Sequence, residues 1–194
     1  MSGEGPDQGW AGASAHREGR GRFAEERAAW EKGAVGEAVV GRVLDDLPGI
    51  LTLHDRAMPG GSANIDHIAI APTGVYVVDA KHYAGEPRAD TRHGTGDSAT
   101  RRLYVGHEDR TELVDSVRWQ TRVVEAIVDD PAVPVHGVLC FVGATWGITN
   151  GFLVHGIGVT SPDRLALLVG SPGPLSAERR AAVHQHLRAS LAAA

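Results

Sequence analysis

Two apolar runs separated by a turn constrain the fold of this chain more than any other feature. They lie between Asn64 and Tyr83, in the stretch NIDHIAIAPTGVYVVDAKHY. Pro72 and Gly74, with Thr73 between them, supply the backbone angles that a tight turn needs. The isoleucines and valines on both sides are typical of strands. The stretch therefore predicts a β-hairpin whose two strands are buried on both faces.

Three ionisable side chains interrupt the apolar runs of this hairpin. Asp66 lies in the first strand, and Asp79 and Lys81 lie in the second. Because side chains alternate along a strand, Asp79 and Lys81 point to the same face. The turn places Asp66 within about one rung of Asp79 on the neighbouring strand. The pattern therefore predicts two carboxylates that converge beside one ammonium group.

The residues alone leave two interpretations of these charges open. Carboxylate oxygens without a nearby arginine are typical ligands of Mg²⁺ or Mn²⁺, which keep water positions that a phosphate can take. Lys81, with a pKa lowered by burial and by the cation, would then activate the attacking water. In the second interpretation, a buried Asp–Lys ion pair only fixes the register of the strands.

The spacing from Asp66 to Asp79-Ala80-Lys81 resembles the Asp…(Asp/Glu)-x-Lys signature of the restriction-endonuclease-like nucleases. More specifically, the hairpin is similar to that of the nuclease-related domain (NERD) family, through Ile65-Asp66-His67, Pro72-x-Gly74-Val75 and Lys81-x-Tyr83-x-Gly85. The resemblance implies an α/β fold in which helices flank a mixed sheet. It also implies metal ligation by Asp66, Asp79 and the Ala80 carbonyl. Many relatives carry Glu in place of Asp79, and the shorter side chain would shift the metal.

Glu37 is a further candidate for the same site. A helical pattern runs from Phe23 to about Leu47, although glycines weaken it and suggest a break near Gly33. Its apolar half contains Val35, Val39, Val40, Val43, Leu44 and Leu47, and Glu37 falls at the edge of that half. On this evidence Glu37 is either a solvated boundary residue or an inward-facing one. The string Gly33-Ala34-Val35-Gly36-Glu37 resembles the opening of the NERD pattern, which implies that Glu37 completes the metal site.

Gln120 lies on the apolar stripe of a second predicted helix, Glu112–Val128, between Val117 and Val124. A glutamine there must find hydrogen-bond partners. Either the backbone supplies them in the core, or the side chain points at a water or phosphate near Lys81. The resemblance favours the second alternative, because NERD proteins carry a glutamine here. Their frequent Asn-Pro a few residues earlier is Ser116-Val117 in this chain.

The remaining pattern predicts strands at 50–56, 135–142, 152–154 and 157–160 and helices at 161–169 and 175–191. The strand at 135–142 is expected to be central and parallel to an earlier one after a helical crossover. Residues 84–111 are polar, with one short strand predicted at 102–105. Arginines in this segment would either neutralise phosphates beside the site or lie on a solvated loop: Arg88, Arg92, Arg101, Arg102 and Arg110.

The 194 residues suit a single domain. We expect a flexible tail over 1–21 and one domain over 22–194, with its core at about 33–165 and a helical cap at 166–194. A net charge of −5 argues against bulk attraction to nucleic acid, so any such contact must be local. Cys140 lies in an apolar run and is expected to be a buried structural thiol. Neither a signal peptide nor a membrane-length apolar run is evident, which predicts a cytoplasmic protein.

Together these features predict a Mg²⁺- or Mn²⁺-dependent nuclease that hydrolyses phosphodiester bonds, with DNA as the expected substrate. Glu37 would bind a second ion or orient water, Lys81 would activate the nucleophile, and Gln120 would position water or phosphate. A different class of function is a non-catalytic nucleic-acid-binding or assembly module that keeps the site for structure. Such a module would work beside a larger partner. A third alternative is a nuclease-fold enzyme for RNA or a small nucleotide. A protein partner or a homo-oligomer belongs to the expected assemblies.

Overall fold

The structure is a computed structural model that describes residues 33–61, 63–93, 99–147 and 151–194. The predicted tail and the predicted start of the first helix lie outside these ranges. The first helix, α1, occupies residues 33–45 of the described part. The other elements are β1 (Leu51–Ala57), β2 (Asn64–Ala71), β3 (Gly74–His82), β4 (Pro87–His93), β5 (Ala99–Val105), β6 (Glu108–Asp109), α2 (Thr111–Val128), β7 (Val135–Val142), β8 (Gly151–Val154), β9 (Ile157–Thr160), α3 (Pro162–Val169) and α4 (Ala177–Ser190).

Six of the strands form one mixed sheet in the order β1-β2-β3-β7-β9-β8. Neighbours from β1 to β3 are antiparallel, whereas β7 is parallel to both β3 and β9. The predicted α/β architecture and the predicted parallel placement of β7 are therefore confirmed. None of the helices in the described ranges has the length and apolar character needed to cross a bilayer.

The central hairpin has the predicted turn and register. Pro72 and Thr73 form the turn between β2 and β3, and the ladder runs from the pair Ala71 and Gly74 to the pair His67 and Val78. Gly74 has φ of 143°, and a Cβ there would collide with the carbonyl oxygen of Pro134. The turn therefore requires glycine at this position.

Helices cover both faces of the mixed sheet. Val40 and Leu44 of α1 pack with residues of α3 on one face. Residues of α2 and α4 pack on the other face, where Val124 and Leu187 join the buried isoleucines and valines of the hairpin. The C-terminal helix therefore shares a core cluster with the hairpin. Because these apolar layers enclose β2 and β3, any charge on those strands is held away from water.

Helix α1 is rotated relative to its predicted apolar face. Val35 was expected to face inward but is 53% exposed, whereas Val40 and Leu44 are fully buried. The cause is the close approach of Gly36 and Gly41 to the sheet: a Cβ on Gly36 would lie 3.3 Å from His82 Cβ, and one on Gly41 would lie 3.4 Å from His67 Cε1. The glycines that lower the helix propensity of α1 are therefore the residues through which α1 contacts the sheet.

The prediction of a mostly irregular segment over 84–111 is wrong. Strands β4, β5 and β6 form a separate three-stranded antiparallel sheet, in which Asp90 pairs with Arg102 and Thr91 with Arg101. One face of these strands carries the buried Leu103 and Val105. Charged residues at neighbouring positions obscure the alternation that normally reveals a half-buried strand.

Gly137 in β7 provides a test of how closely α2 is packed on the sheet. A Cβ there would lie 2.6 Å from Ile157 Cδ1 and 3.0 Å from Val117 Cγ1. We expect Gly137→Ala to reduce the free energy of unfolding by about 1–3 kcal/mol, because the core must shift to accommodate the methyl group. Gly158→Ala is the matched control: Gly158 lies on the adjacent strand, and its nearest neighbour would be 3.7 Å away. Equal urea midpoints for the two variants would contradict this packing.

Cys140 provides a test of core integrity. The thiol is fully buried, and burial raises its pKa to about 12. Because the thiolate is the reactive form, we expect almost no reaction with a disulfide reagent at pH 8 and complete reaction after unfolding in guanidinium. The measurement is thiol release in native and denaturing buffer. Rapid labelling of the native protein would show that β7 opens in solution.

Candidate active site

The two strands of the hairpin separate at the position of the acidic residues. The regular ladder ends at the pair His67 and Val78, and the next rung would set Asp66 opposite Asp79. At this point the Ala80 N–H donates a hydrogen bond to Asp66 Oδ2, at 2.8 Å. A side chain has therefore replaced a backbone acceptor, which fixes the Asp66 carboxylate beside β3.

Both acids and the lysine lie on the same face of the sheet. Asp79 and Lys81 continue the alternation of Val75 and Val77, which belong to the core cluster beneath α2 and α4. Asp66 continues the alternation of Ile68 and Ile70, which belong to the same cluster. Ala80 faces the other way, among the residues that pack on α1 and α3. The convergence that the spacing indicated is therefore present.

Lys81 forms an ion pair with Asp79. Its Nζ touches Asp79 Oδ1, and the side chains are 27% and 7% exposed, respectively. The amine thus neutralises one carboxylate while keeping a path to solvent.

Burial dominates the electrostatics of the two acids. It raises the pKa of Asp79 to about 6, aided by Asp66 and opposed by the attraction of Lys81. Burial also raises the pKa of Asp66, although the Ala80 N–H and Lys81 act in the opposite direction. Two buried carboxylates thus share one ammonium group, which leaves the site with an excess of negative charge.

The lowering of the Lys81 pKa was expected from burial together with a bound cation, and without the cation the acidic neighbours reverse the direction. Burial lowers it, but the attraction and hydrogen bond of Asp79, together with the attraction of Asp66, outweigh burial and raise the pKa above its ordinary value. The lysine is therefore protonated at neutral pH, since its acidic neighbours favour the charged form.

Glu37 lies near these groups but does not join them in a compact cluster. It is exposed on α1, beside the contact between Gly36 and His82. Its pKa is raised, first by partial burial and then by repulsion from Asp66, while Lys81 lowers it. These interactions place Glu37 within electrostatic range of the site. In the described ranges, no three His, Cys, Asp or Glu side chains converge closely enough to hold a metal ion by themselves.

Asp55 is a fourth acid in this region that sequence reasoning missed. It lies between His54 and Arg56 of β1, whose partners His67 and Ile65 flank Asp66 on β2, and it helps to raise the pKa values of Asp66 and Glu37. Its φ of 48° is unusual for a strand residue. Asn64 Nδ2 donates to Asp55 Oδ1 at 2.9 Å, and the Ala194 N–H donates to its carbonyl at 3.0 Å. The only sequence signal for Asp55 is that an acidic residue lies within a predicted strand.

Gln120 is buried, and its hydrogen bond is to the backbone, as the core alternative expects. Its Nε2 donates to the backbone carbonyl of Asn64 at 3.4 Å, close to Asp66 in the chain. Its Oε1 is buried without a partner among the described residues. One end of the amide therefore bonds to backbone, as a core glutamine would, and the other end keeps a free acceptor.

The mixed sheet, the flanking helices and the hairpin that carries two acids and a lysine define a fold of the restriction-endonuclease-like class. A family model, the nuclease-related domain (NERD), matches residues 32–142, which is more than half of the chain. The chain therefore belongs to the NERD family, and its function is nuclease-related. The search of curated proteins and the search of solved structures each found no match.

Gln120→Met tests whether the glutamine is retained for stability. The hydrogen bond from Gln120 Nε2 to the backbone is long, and Gln120 Oε1 has no partner among the described residues. We therefore expect methionine, an apolar side chain of similar shape, to change the free energy of unfolding by less than about 1 kcal/mol. Val124→Ala, on the same buried face of α2, should cost about 1.5–3 kcal/mol and shows that the assay detects core damage. A larger loss for Gln120→Met than for Val124→Ala would assign Gln120 to the core.

Proposed function

We propose that this chain is a metal-dependent nuclease that hydrolyses phosphodiester bonds, with DNA as its substrate. One observation carries the proposal: a buried Asp79 lies with the half-buried Asp66 and Lys81 on one face of the hairpin, where the Ala80 N–H fixes Asp66. A register-fixing ion pair needs only one acid. The second carboxylate and its uncompensated charge therefore support a catalytic role, as does membership of a nuclease-related family.

The residues present fit a hard divalent cation such as Mg²⁺ or Mn²⁺. Asp66 and Asp79 offer carboxylate oxygens in a site with excess negative charge, and the Ala80 carbonyl would complete the protein ligands. Mg²⁺ is usually held by one or two carboxylates together with waters and substrate phosphates, so a three-acid cluster is not required. When bound, such an ion would polarise the scissile phosphate and lower the pKa of water.

The other side chains have separate roles in the proposal. Lys81, protonated because of its acidic neighbours, would stabilise the negative charge that develops on the phosphate oxygens rather than act as a base. The free Oε1 of Gln120 would accept a hydrogen bond from the attacking water. Glu37 would orient water or assist a second ion from the exposed side of the site.

Cleavage of plasmid and single-stranded DNA with Mg²⁺ or Mn²⁺ tests the proposal. We expect Asp79→Asn and Lys81→Met each to reduce the rate by at least about 10²–10³-fold, the cost of removing one electrostatic stabiliser from a reacting centre. Gln120→Met should lower the rate at unchanged stability. Glu125→Gln is the control, because Glu125 is an exposed acid on α2.

Equal cleavage rates in the parent, Asp79→Asn and Lys81→Met proteins would reject the catalytic assignment. Retention of DNA without any cleavage, and without cation binding, would instead favour a non-catalytic nucleic-acid-binding module.

Thermal stability gives a second measurement that does not depend on activity. A cation that binds only the folded state at about 100 times its dissociation constant adds about 2.7 kcal/mol, or roughly 5–10 °C in Tm for a chain of this size. We expect this shift with Mn²⁺ or Mg²⁺ in the parent and in Glu125→Gln. The shift should disappear in Asp79→Asn. A shift of the same size in Asp79→Asn would place the cation elsewhere.

A further inference from the structure

Tyr83 lies beside the candidate active site, two residues beyond Lys81 and just past the end of β3. Lys81 pairs in register with Phe141 of β7, so the side chains of these two residues share the face of the sheet beneath α2. The Tyr83 ring meets the Phe141 ring edge-on, with centroids 6.0 Å apart and planes at 65°. Tyr83 is therefore the next side chain after Lys81 on this face, at a spacing of about 7 Å along the strand direction.

Arg110 holds the ring of Tyr83 in addition to Phe141. Its guanidinium lies over the ring, 5.2 Å from the centroid. Arg110 is itself fixed just before α2, because its N–H donates to the Leu103 carbonyl at 2.8 Å and its guanidinium pairs with Glu108. An aromatic ring held in this way has little rotamer freedom left to lose when a ligand binds.

The hydroxyl of Tyr83 is free to bind a ligand. It has no hydrogen-bond partner among the described residues, and its oxygen is not enclosed by the protein. Tyr76, at the other end of β3, differs in this respect because its hydroxyl shares a hydrogen bond with Thr73 Oγ1 at 2.8 Å. A half-buried tyrosine usually finds a partner for its hydroxyl. The ring of Tyr83 is thus fixed, whereas its hydrogen-bonding group is unused.

The side chain of Tyr83 lies within electrostatic range of the Lys81 amine. Burial lowers the pKa of Lys81, the acids Asp79 and Asp66 raise it, and Tyr83 raises it as well. The amine is already engaged by Asp79, so a phosphate that approaches it must share this donor with a carboxylate. A neutral hydroxyl nearby supplies a second donor, and hydrogen bonds to a charged acceptor are among the stronger ones.

We propose that Tyr83 contacts the substrate, with its hydroxyl donating a hydrogen bond to a phosphate oxygen of the nucleic acid beside Lys81. Arg110 is a positioning residue in this proposal, because it acts through the ring of Tyr83. The presence of a phosphate beside Lys81 rests on the proposed nuclease function. Binding of nucleic acid can be measured apart from cleavage, so the two proposals can fail separately.

Tyr83→Phe tests the hydroxyl, because this variant keeps the ring and its contacts with Phe141 and Arg110. Two quantities are measured on the full chain. One is kcat/KM for cleavage of single-stranded DNA with Mg²⁺ or Mn²⁺, and the other is the dissociation constant of a labelled DNA oligonucleotide with Ca²⁺, which also takes oxygen ligands. We expect both kcat/KM and affinity to fall about ten- to hundredfold, the effect of one hydrogen bond to a charged group.

Tyr104→Phe is the matched control. Tyr104 also lies under a guanidinium, that of Arg88 at 4.7 Å from the ring centroid, and its hydroxyl has no hydrogen-bond partner in the described ranges. It alternates along β5 with Leu103, which packs in the same cluster as Phe141, so Tyr104 faces away from the site. We expect this variant to match the parent in both measurements.

Arg110→Met tests the positioning role. We expect it to lower affinity and kcat/KM in the parent but to have no further effect in Tyr83→Phe, because Arg110 acts only through the placement of the hydroxyl. Arg110→Lys, which keeps a cation beside the ring, should restore part of the loss. Additive losses in the double variant would instead show that Arg110 acts independently of Tyr83.

Equal affinity and equal kcat/KM in Tyr83→Phe and Tyr104→Phe, with a parent that cleaves DNA, would overturn the role of Tyr83 and leave the nuclease function standing. If Tyr83→Phe weakens binding of the oligonucleotide while the parent cleaves nothing, Tyr83 stands as a nucleic-acid contact and the nuclease function fails. A parent that neither binds nor cleaves nucleic acid would overturn both proposals.

Discussion

The hydrogen bond from the Ala80 N–H to the Asp66 carboxylate is the interaction on which the site depends. It occupies a donor at the point where the β2–β3 ladder stops, so the strands separate without leaving that N–H unsatisfied. The same bond draws one buried acid toward another, although burial alone disfavours two charges there. Lys81 offsets only part of that cost through Asp79. The electrostatic imbalance of the site therefore follows directly from how the two strands part.

Glycine decides how the flanking elements reach this hairpin. Gly36 and Gly41 let α1 approach His82 and His67 closely, which sets Glu37 at the edge of the site. On the opposite face, Gly137 leaves room for Val117 and its neighbours on α2, so that Gln120 reaches Asn64. In α1 the local helix propensity is reduced, and tertiary packing compensates for it. The close approach of the α1 and α2 backbones to the sheet therefore determines where Glu37 and Gln120 lie.

The hairpin and its register could be predicted from sequence because two buried strands and a tight turn each restrict the residues that they accept. Elements that depend on long-range pairing were harder to predict. The small sheet of β4, β5 and β6 buries Leu103 and Val105, but charged residues at neighbouring positions obscure its apolar alternation. Asp55 gains its place in the site only because β1 pairs with the segment of β2 that carries Asp66. The direction of the Lys81 pKa shift also depended on a balance between burial and two acids that spacing alone does not measure.

Local charge, rather than composition, governs how an acidic chain can approach a polyanion. The net charge of −5 disfavours attraction at long range, but charges separated by more than about 10 Å are largely screened at 0.1 M salt. Paired arginines such as Arg102 add little, because Asp109 neutralises them. The acids of the hairpin repel phosphate unless a cation intervenes, which would make productive binding depend on the metal.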